Sequence, residues 1–574
     1  MTYSSTARLV AALCFFSLSI GCQSQPSGQS AEQALASTSA ALPVQLVNRI
    51  GLPTSGAGAT GLADSDNEAG EGEKDYWANI DFDRSNFEET RSYVRERYIE
   101  SDIDDSRAYA QAAEFVLASN EKDVMLLVPE AFYLRRKGDP KEEGRFDGKR
   151  HKLAEDDKFV LLEAVDDEEP ERKQLSDDEI RELRVEDRNR RAELERDWKA
   201  AKFSRADFDR VMRFAIKDRA AKGDWDAKKA WVAATQGYLY SLDPHSSLIS
   251  AEAWEDSTRE ITDSSFEGIG AILTRRPDSD YTIVESPLDG QPALKAGLRA
   301  GDVILEVDGE SIKGEILPKV VNRIRGKKGT KVTLKVERVG QPKPLLIGIM
   351  RSKIEMKNIQ YKLVHGRDAI GHIRVNGFVP TTHAKLVDAF IALQAEAKGK
   401  LSGLVLDLRR NSGGLLQQGI DVANQFLERG RIVTVKNRGE ADEHYDADDK
   451  GTWSIPLVVL VDDGSASASE IVASALQDNR RALVLGDRTF GKASVQTLFR
   501  PLLRDDYYIK LTVARYYSPN DRSLQVVGVR PDIEVAPEFD GKMPLGFREE
   551  DLSNHLSAME TSYVSANAAD AKRV

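Results

Sequence analysis

Two cysteines occur in 574 residues, Cys14 and Cys22, and both fall within the first 22 positions. A mature chain cut there has no pair left for an internal disulfide, and a CxxC metal or redox site is excluded by the same count. Histidine is also scarce. The seven present include none with an obvious local partner, and no G-x-S-x-G surrounds any serine of interest, so a Ser-His-Asp triad has no visible seat. Positive charge is in deficit, with 81 Lys and Arg against 94 Asp and Glu; a net charge of −13 argues against a generalised nucleic-acid surface. Beyond the first 22 residues no apolar run approaches the length of a membrane span.

The opening stretch reads as a leader. Arg8 supplies the positive flank, and the apolar run from Leu9 to Gly21 is too short to span a bilayer but suits secretion. Its end, Leu18-Ser19-Ile20-Gly21-Cys22, is similar to a bacterial lipobox with the leucine one place early, which makes Cys22 the expected lipidated N-terminus. An ordinary cleaved signal peptide is the alternative. Residues 23–76 are rich in Ser, Gly, Ala and Gln with an acidic end, too polar to offset the entropy of ordering; as a coil they reach roughly 40 Å. The implied setting is a bacterial cell envelope, with the body facing the periplasm and held to a membrane by lipid.

The length predicts three or four domains. Residues 77–135 carry helical spacing, as at Phe87, Thr90, Val94 and Tyr98. Residues of about 136–200 are dense in charge and read as an exposed insertion. There Ser176-Asp177-Asp178-Glu179 has capping-box form ahead of a mostly solvated helix to Trp198. Helical spacing resumes at 203–216 and 231–242, closing the helical region at about 250. From 264 to 340 short apolar strands alternate with glycine turns. The order, together with Gly268-Ile269-Gly270-Ala271 and Ala296-Gly297-Leu298-Arg299-Ala300-Gly301-Asp302, resembles a PDZ domain, for which we expect bounds of 255–352. Successive amides at Gly268, Ile269, Gly270 and Ala271 would make a nest for a terminal carboxylate, with the adjacent strand edge and a helix at 317–324 receiving the peptide as an added strand. Residues 353–538 read as an α/β core, and 539–574 as a loosely ordered polar tail.

Within that core the stretch from Leu457 to Gln496 holds the most chemistry. Leu457–Val461 reads as a buried strand, Asp462-Asp463-Gly464 as a turn, and Ser465-Ala466-Ser467-Ala468-Ser469-Glu470 as the entry to a helix. A second strand ends at Gly486, and the loop beyond holds Lys492. The run Gly486–Lys492 has phosphate-loop spacing, but residue 493 is Ala instead of Ser or Thr, and a strand follows where that motif needs a helix. Nucleotide binding is therefore set aside. A serine can be activated by lysine in place of histidine if burial leaves the amine partly neutral near pH 7. Residue types alone leave Ser465, Ser467 and Ser469 open.

The motifs just quoted, with Leu242-Asp243-Pro244-His245-Ser246-Ser247, Asp407-Leu408-Arg409-Arg410-Asn411-Ser412-Gly413-Gly414, Phe490-Gly491-Lys492 and Gly528-Val529-Arg530-Pro531-Asp532, resemble the carboxyl-terminal processing (tail-specific) proteases. The resemblance is loose over 77–135, close over 225–537, and implies a multidomain α/β chain: a crotonase-like protease core with an inserted PDZ domain and an N-terminal helical region. It implies Ser467 as nucleophile, Lys492 as general base, Gln496 orienting the lysine, and the amides of Gly414 and Ala468 as oxyanion hole. No cofactor or metal is implied. The expected partners are protein or peptide substrates bound through their C-termini, a membrane reached by the N-terminal lipid, and an adaptor protein or further copies of the chain. About ninety residues of largely charged insertion before Leu242 depart from the family pattern, and residue 412 is Ser where Pro or Gly is usual. The rival readings are a catalytically inert PDZ scaffold and an acyl-CoA enzyme on the same core fold.

Overall fold

The computed structural model describes residues 76–558 apart from 119–124, 138–147, 152–157, 164–176, 256–264, 276–280, 536–545 and a few shorter stretches. The expected leader, Cys22 and the tether lie outside the described residues.

The first helix, Arg84–Arg97, starts where Asp83 accepts the Ser85 amide at 2.7 Å while Asn86 Oδ1 takes the Asp83 amide at 2.9 Å, a reciprocal cap. Its buried face holds Phe87, Thr90 and Val94. Helix Asp105–Ala118 crosses Ala227–Tyr240 at Gly237, where a Cβ would lie 2.6 Å from the Gln111 carbonyl, so glycine permits the close approach. Helices Asp177–Ala201 and Arg205–Lys222 complete this region.

Residues 77–135 are not all helical. Met125–Pro129 is a strand with five consecutive buried residues, too short and too uniformly buried for an amphipathic helix. It pairs with Phe159–Glu163, which pairs with Arg150–His151, giving an antiparallel three-stranded sheet that joins the end of the first helical stretch to the charged insertion. The helix after it is not simply solvated either. Leu194 and Trp198, one turn apart, are buried, with Trp198 stacked on Phe159 at 5.6 Å between ring centres. Arg135 and Arg136, on helix Glu130–Lys137, both bind Glu193.

The PDZ region is a sheet ordered 345–350, 331–337, 303–307, 282–287, 271–275, with 310–311 added beside 303–307. Strand Ala271–Arg275 ends the row, and helix Leu317–Ile324 packs beside it. Strands Ser265–Gly268 and Ser352–Glu355 pair antiparallel where the chain enters and leaves.

In the core, strands Ala369–Val375, Leu401–Asp407, Leu457–Val461, Leu483–Gly486 and Ile533–Glu534 lie parallel in that order, with Ile359–Val364 antiparallel at one edge. Near-continuous apolar runs such as Leu457-Val458-Val459-Leu460-Val461 suit a sheet covered on both faces. Helices Thr382–Glu396, Leu416–Asn424 and Ala468–Asp478 belong to the same packed unit. The loops leaving Asp407, Val461 and Gly486 all emerge at the carboxyl ends of adjacent parallel strands, the edge where open α/β sheets place their ligand crevices.

A second sheet runs Glu443–Asp446, Arg431–Asn437, Tyr507–Tyr517, Ser494–Phe499, and Ser247–Ser250 from the helical region also pairs with Tyr507–Tyr517. Tyr507–Tyr517 is one continuous strand of 11 residues. Its two ends serve two cores. Tyr507, Ile509 and Leu511 join the core of the helical region, together with Trp77, Phe82 and Leu248, whereas Ala514 and Tyr516 join the core of the protease sheet. The register against Ser494–Phe499 shifts between Thr512 and Ala514, so simple alternation does not carry past Val513; Thr512 lies opposite Gln496 and Lys510 opposite Leu498.

Candidate active site

The turn after Leu457–Val461 is built around its serines. Ser465 Oγ accepts the Asp462 amide at 3.0 Å and donates to the Leu408 carbonyl at 2.8 Å. Ser469 Oγ donates to the Asn411 carbonyl at 2.7 Å. Both hydroxyls therefore stitch this turn to the 408–414 loop. Ser467, between them, stands at φ 55° and ψ −117°, a strained backbone for an L-residue, immediately before helix Ala468–Asp478. A residue held against its conformational preference ahead of a helix is the arrangement of a nucleophile elbow.

Glu470 ties this turn to the lysine loop. One carboxylate oxygen accepts the amides of Ser467 and Lys492, each at 2.9 Å; the other accepts the Gly491 amide at 2.8 Å and the Thr489 hydroxyl at 2.6 Å. Glu470 is fully buried, and burial pushes its carboxyl up to about 7 against the pull of those four donors. Tyr516, on the long strand, donates its hydroxyl to the Lys492 carbonyl and also bonds the Ser467 side chain. Ser467 and Lys492 are 3% and 2% exposed. Two fixed points, one carboxylate and one phenol, thus hold the serine and the lysine segments against each other.

The glycine loop lies against the same turn. Gly413 and Gly414 have φ of 102° and 138°. A Cβ at 413 would sit 2.7 Å from Ser467 Cβ and 3.0 Å from the Ala468 amide nitrogen; one at 414 would strike the backbone of Phe378. Asn411 fixes the loop by accepting the Gly413 amide at 2.9 Å and donating to the Val375 carbonyl at 2.8 Å. Ala468 is the first helical residue, whose amide has no acceptor within its own helix.

Gln496 is buried on strand Ser494–Phe499, with its Nε2 donating to Ser494 Oγ at 2.9 Å and Thr512 Oγ1 at 3.1 Å. Lys510 lies on the same side of the neighbouring strand. Burial first, and the charge of Lys492 second, push its ammonium down to about 7, with Asp243 opposing. Glu549 is also in this neighbourhood. Burial raises its carboxyl, but His245 at 2.9 Å, Gln525 and the charge of Lys492 bring it below the usual range. The Glu549 amide donates to the Phe490 carbonyl at 3.0 Å.

Residues 546–558 were expected to be loosely ordered. Instead Glu549 is buried and Leu556 enters the core of the helical region. The segment bridges Arg184 and His245 on one side to Asp487 and Arg488 on the other. Sequence reading missed Glu470, Thr512, Tyr516 and Glu549. Glu470 alone had a local signal, at the third position of its helix three residues after Ser467.

Gly268, Ile269, Gly270 and Ala271 are distant in role, forming the turn between strands Ser265–Gly268 and Ala271–Arg275. The Ile269 carbonyl accepts the Ala293 amide at 2.8 Å, and Gly270 takes φ 73°. The turn thus sits at the start of the terminal strand, alongside which runs helix Leu317–Ile324.

Residues 369–535 match the model of peptidase family S41, and residues 283–338 that of the PDZ domain. A carboxy-terminal-processing protease of Bartonella bacilliformis is 40% identical over 348 residues, covering 59% of this chain and 77% of that one. A probable CtpA-like serine protease of Staphylococcus aureus is 37% identical over 314 residues, covering 54% of this chain and 61% of the relative. Among solved structures, a photosystem II D1 C-terminal processing protease is 30% identical, with 57% of this chain and 89% of that chain covered at a TM-score of 0.37. The two family matches fall on the PDZ region and the α/β core in the order in which the structure presents them. The chain belongs to the carboxy-terminal-processing proteases of peptidase family S41, serine-type peptidases, and carries a PDZ domain ahead of its protease core.

Proposed function

We propose that this chain is a secreted endopeptidase that takes substrates by their C-termini and cleaves them with a Ser467–Lys492 dyad. Lys492, acting as neutral amine, removes the Ser467 Oγ proton as that oxygen attacks the scissile carbonyl carbon. The negative charge developing on the carbonyl oxygen is received by the amides of Gly414 and Ala468. Collapse expels the amine product, protonated by Lys492, and leaves an ester on Ser467. Water, deprotonated by Lys492, then attacks the ester, and the returning proton restores the serine. Gln496 holds the lysine on line throughout.

The observation that carries this reading is the Glu470 carboxylate oxygen that accepts the amides of both Ser467 and Lys492 at 2.9 Å. A single buried acceptor shared by two residues 25 positions apart serves little purpose unless their relative placement matters. The commitment of the Ser465 and Ser469 hydroxyls to backbone carbonyls supports Ser467 as the nucleophile among the three. For the PDZ domain, the terminal strand at 271–275 with a helix beside it suits addition of a peptide strand, with its carboxylate at the Gly268–Ala271 turn. Lipid on Cys22 would hold the enzyme to an envelope membrane; among the described residues no helix is long and apolar enough to cross one.

The test is cleavage of labelled casein by the purified full chain and by Ser467→Ala and Lys492→Ala. Both substitutions are expected to abolish turnover while peptides with free C-termini still bind, and amidated peptides bind more weakly. Wild-type turnover in either variant ends the dyad mechanism. Binding without cleavage by the unaltered chain makes it an inert PDZ scaffold.

A further inference from the structure

The Leu242–Ser247 motif contributes no atom to the dyad, yet it ends in a buried network beside Gln496. Asp243 is fully buried. Its Oδ1 accepts the amides of His245 at 2.8 Å and Ser246 at 2.9 Å and the hydroxyl of Thr512 at 3.0 Å; its Oδ2 accepts Ser246 Oγ at 2.7 Å. Ser246 Oγ in turn accepts the Thr512 amide at 3.1 Å. Thr512 is held from both sides, because its carbonyl takes the Ile99 amide at 3.0 Å.

The direction of each bond follows from what a carboxylate can do. The Asp243 carboxylate is the acceptor in every one of these bonds, so the single proton of the Thr512 hydroxyl is spent on it. Thr512 Oγ1 can then offer Gln496 nothing but lone pairs. The Gln496 amide must turn its NH2 toward Thr512, as it does at 3.1 Å, and its Oε1 away from it. That Oε1 is buried with no hydrogen-bond partner among the described residues. A solvent-free carbonyl oxygen kept in this state suits an ammonium or amine N–H, and an amide flipped by 180° would present donors there instead.

We propose that Asp243 and Thr512 are positioning residues that lock the Gln496 amide in the orientation in which Oε1 faces Lys492. The inference rests on the dyad reading and extends it to the helical region, which supplies Asp243 from 253 positions earlier in the chain than Gln496. Removing the Asp243 acceptor, or the Thr512 hydroxyl that relays it, frees the amide to flip. The lysine then meets a donor.

The test is a double-substitution cycle on the full chain, with casein hydrolysis for kcat and KM, labelling of Ser467 by a fluorophosphonate, and melting temperature as a check on folding. Thr512→Val is nearly isosteric and removes only the relay. It is expected to lower kcat about tenfold or more with KM little changed, the loss expected for one misdirected hydrogen bond at the reacting groups. Thr512→Ser restores the hydroxyl and should return activity to within about threefold of the wild type. In a Gln496→Ala background Thr512→Val should add nothing. Should Thr512→Val not fold, Asp243→Ala in the same cycle reads the same coupling. Full activity in Thr512→Val, or losses that simply add to those of Gln496→Ala, overturn the proposal. Full activity in Gln496→Ala likewise overturns it, whereas full activity in Lys492→Ala overturns the dyad reading beneath it.

Discussion

Glu470 offers the most direct handle on how the site is assembled. Its carboxylate takes four buried donors, two on each oxygen, and all four belong to the serine turn or the lysine loop. Glu470→Gln keeps one acceptor oxygen and replaces the other by NH2. Of the two amide orientations, one sets that NH2 against the Ser467 and Lys492 amides. The other sets it against the Gly491 amide and the Thr489 hydroxyl, which can rotate. The second costs a single unsatisfied amide, about 1–3 kcal/mol, and leaves Ser467 and Lys492 on their shared oxygen. Glu470→Ala strands all four donors, on the order of 4–12 kcal/mol, comparable with the whole stability of a domain. We therefore expect Glu470→Gln to lower the melting temperature of the core by roughly 2–4 °C per kcal/mol while keeping activity within about tenfold, and Glu470→Ala to abolish both fold and activity. The pH dependence adds a check. A carboxyl raised from 4.5 to about 7 on folding contributes stability that is complete below the unfolded value and lost as pH rises through about 7. Glutamine lacks this dependence, so the Glu470→Gln deficit should be largest near pH 5 and shrink toward pH 8. Differential scanning calorimetry across that range, with casein cleavage alongside, reads both. A Glu470→Ala protein with wild-type melting and activity would refute the clamp.

Two further outcomes follow from the charged groups around Lys492. Lys510, whose ammonium falls from 10.5 to about 7 on folding, contributes stability present above the unfolded value and lost as pH falls through about 7, with a ceiling on the order of 5 kcal/mol. Lys510→Met should therefore flatten the rise in melting temperature between pH 6.5 and 9.5, and an unchanged slope would refute the assignment. Glu549 is held below the usual carboxylate range, so its contribution is present above 4.5 and lost as pH falls through the folded value. Glu549→Gln should melt lower than wild type at pH 7, by a few degrees for the loss of about 1–3 kcal/mol, with a smaller deficit at pH 3. An equal deficit at both pH values would mean that the charge is not what anchors the 546–558 segment.

What the residue order determined by itself was local. Period and turn chemistry placed helix Leu317–Ile324 to the residue and strand Leu457–Val461 likewise, because those signals act within a few residues of one another. The motif set identified the family and named Ser467, Lys492, Gln496, Gly414 and Ala468 as candidates. What only the tertiary structure decided were contacts across long stretches of chain. Short apolar runs such as 125–129 declare burial but not partner, so the small antiparallel sheet was read as helix and exposed surface. A polar tail declares neither, yet residue 549 reaches His245, 304 positions away. The three serines were equivalent as letters. They differ once the chain folds, because the Ser465 and Ser469 hydroxyls find the carbonyls of Leu408 and Asn411 on a loop more than fifty residues earlier, while Ser467 is held at positive φ. The network from Asp243 through Thr512 to Gln496 is of the same kind. Hydrogen bonds are short-range and directional, so which way the Gln496 amide turns is settled only when the sheets and the helical region have packed around it.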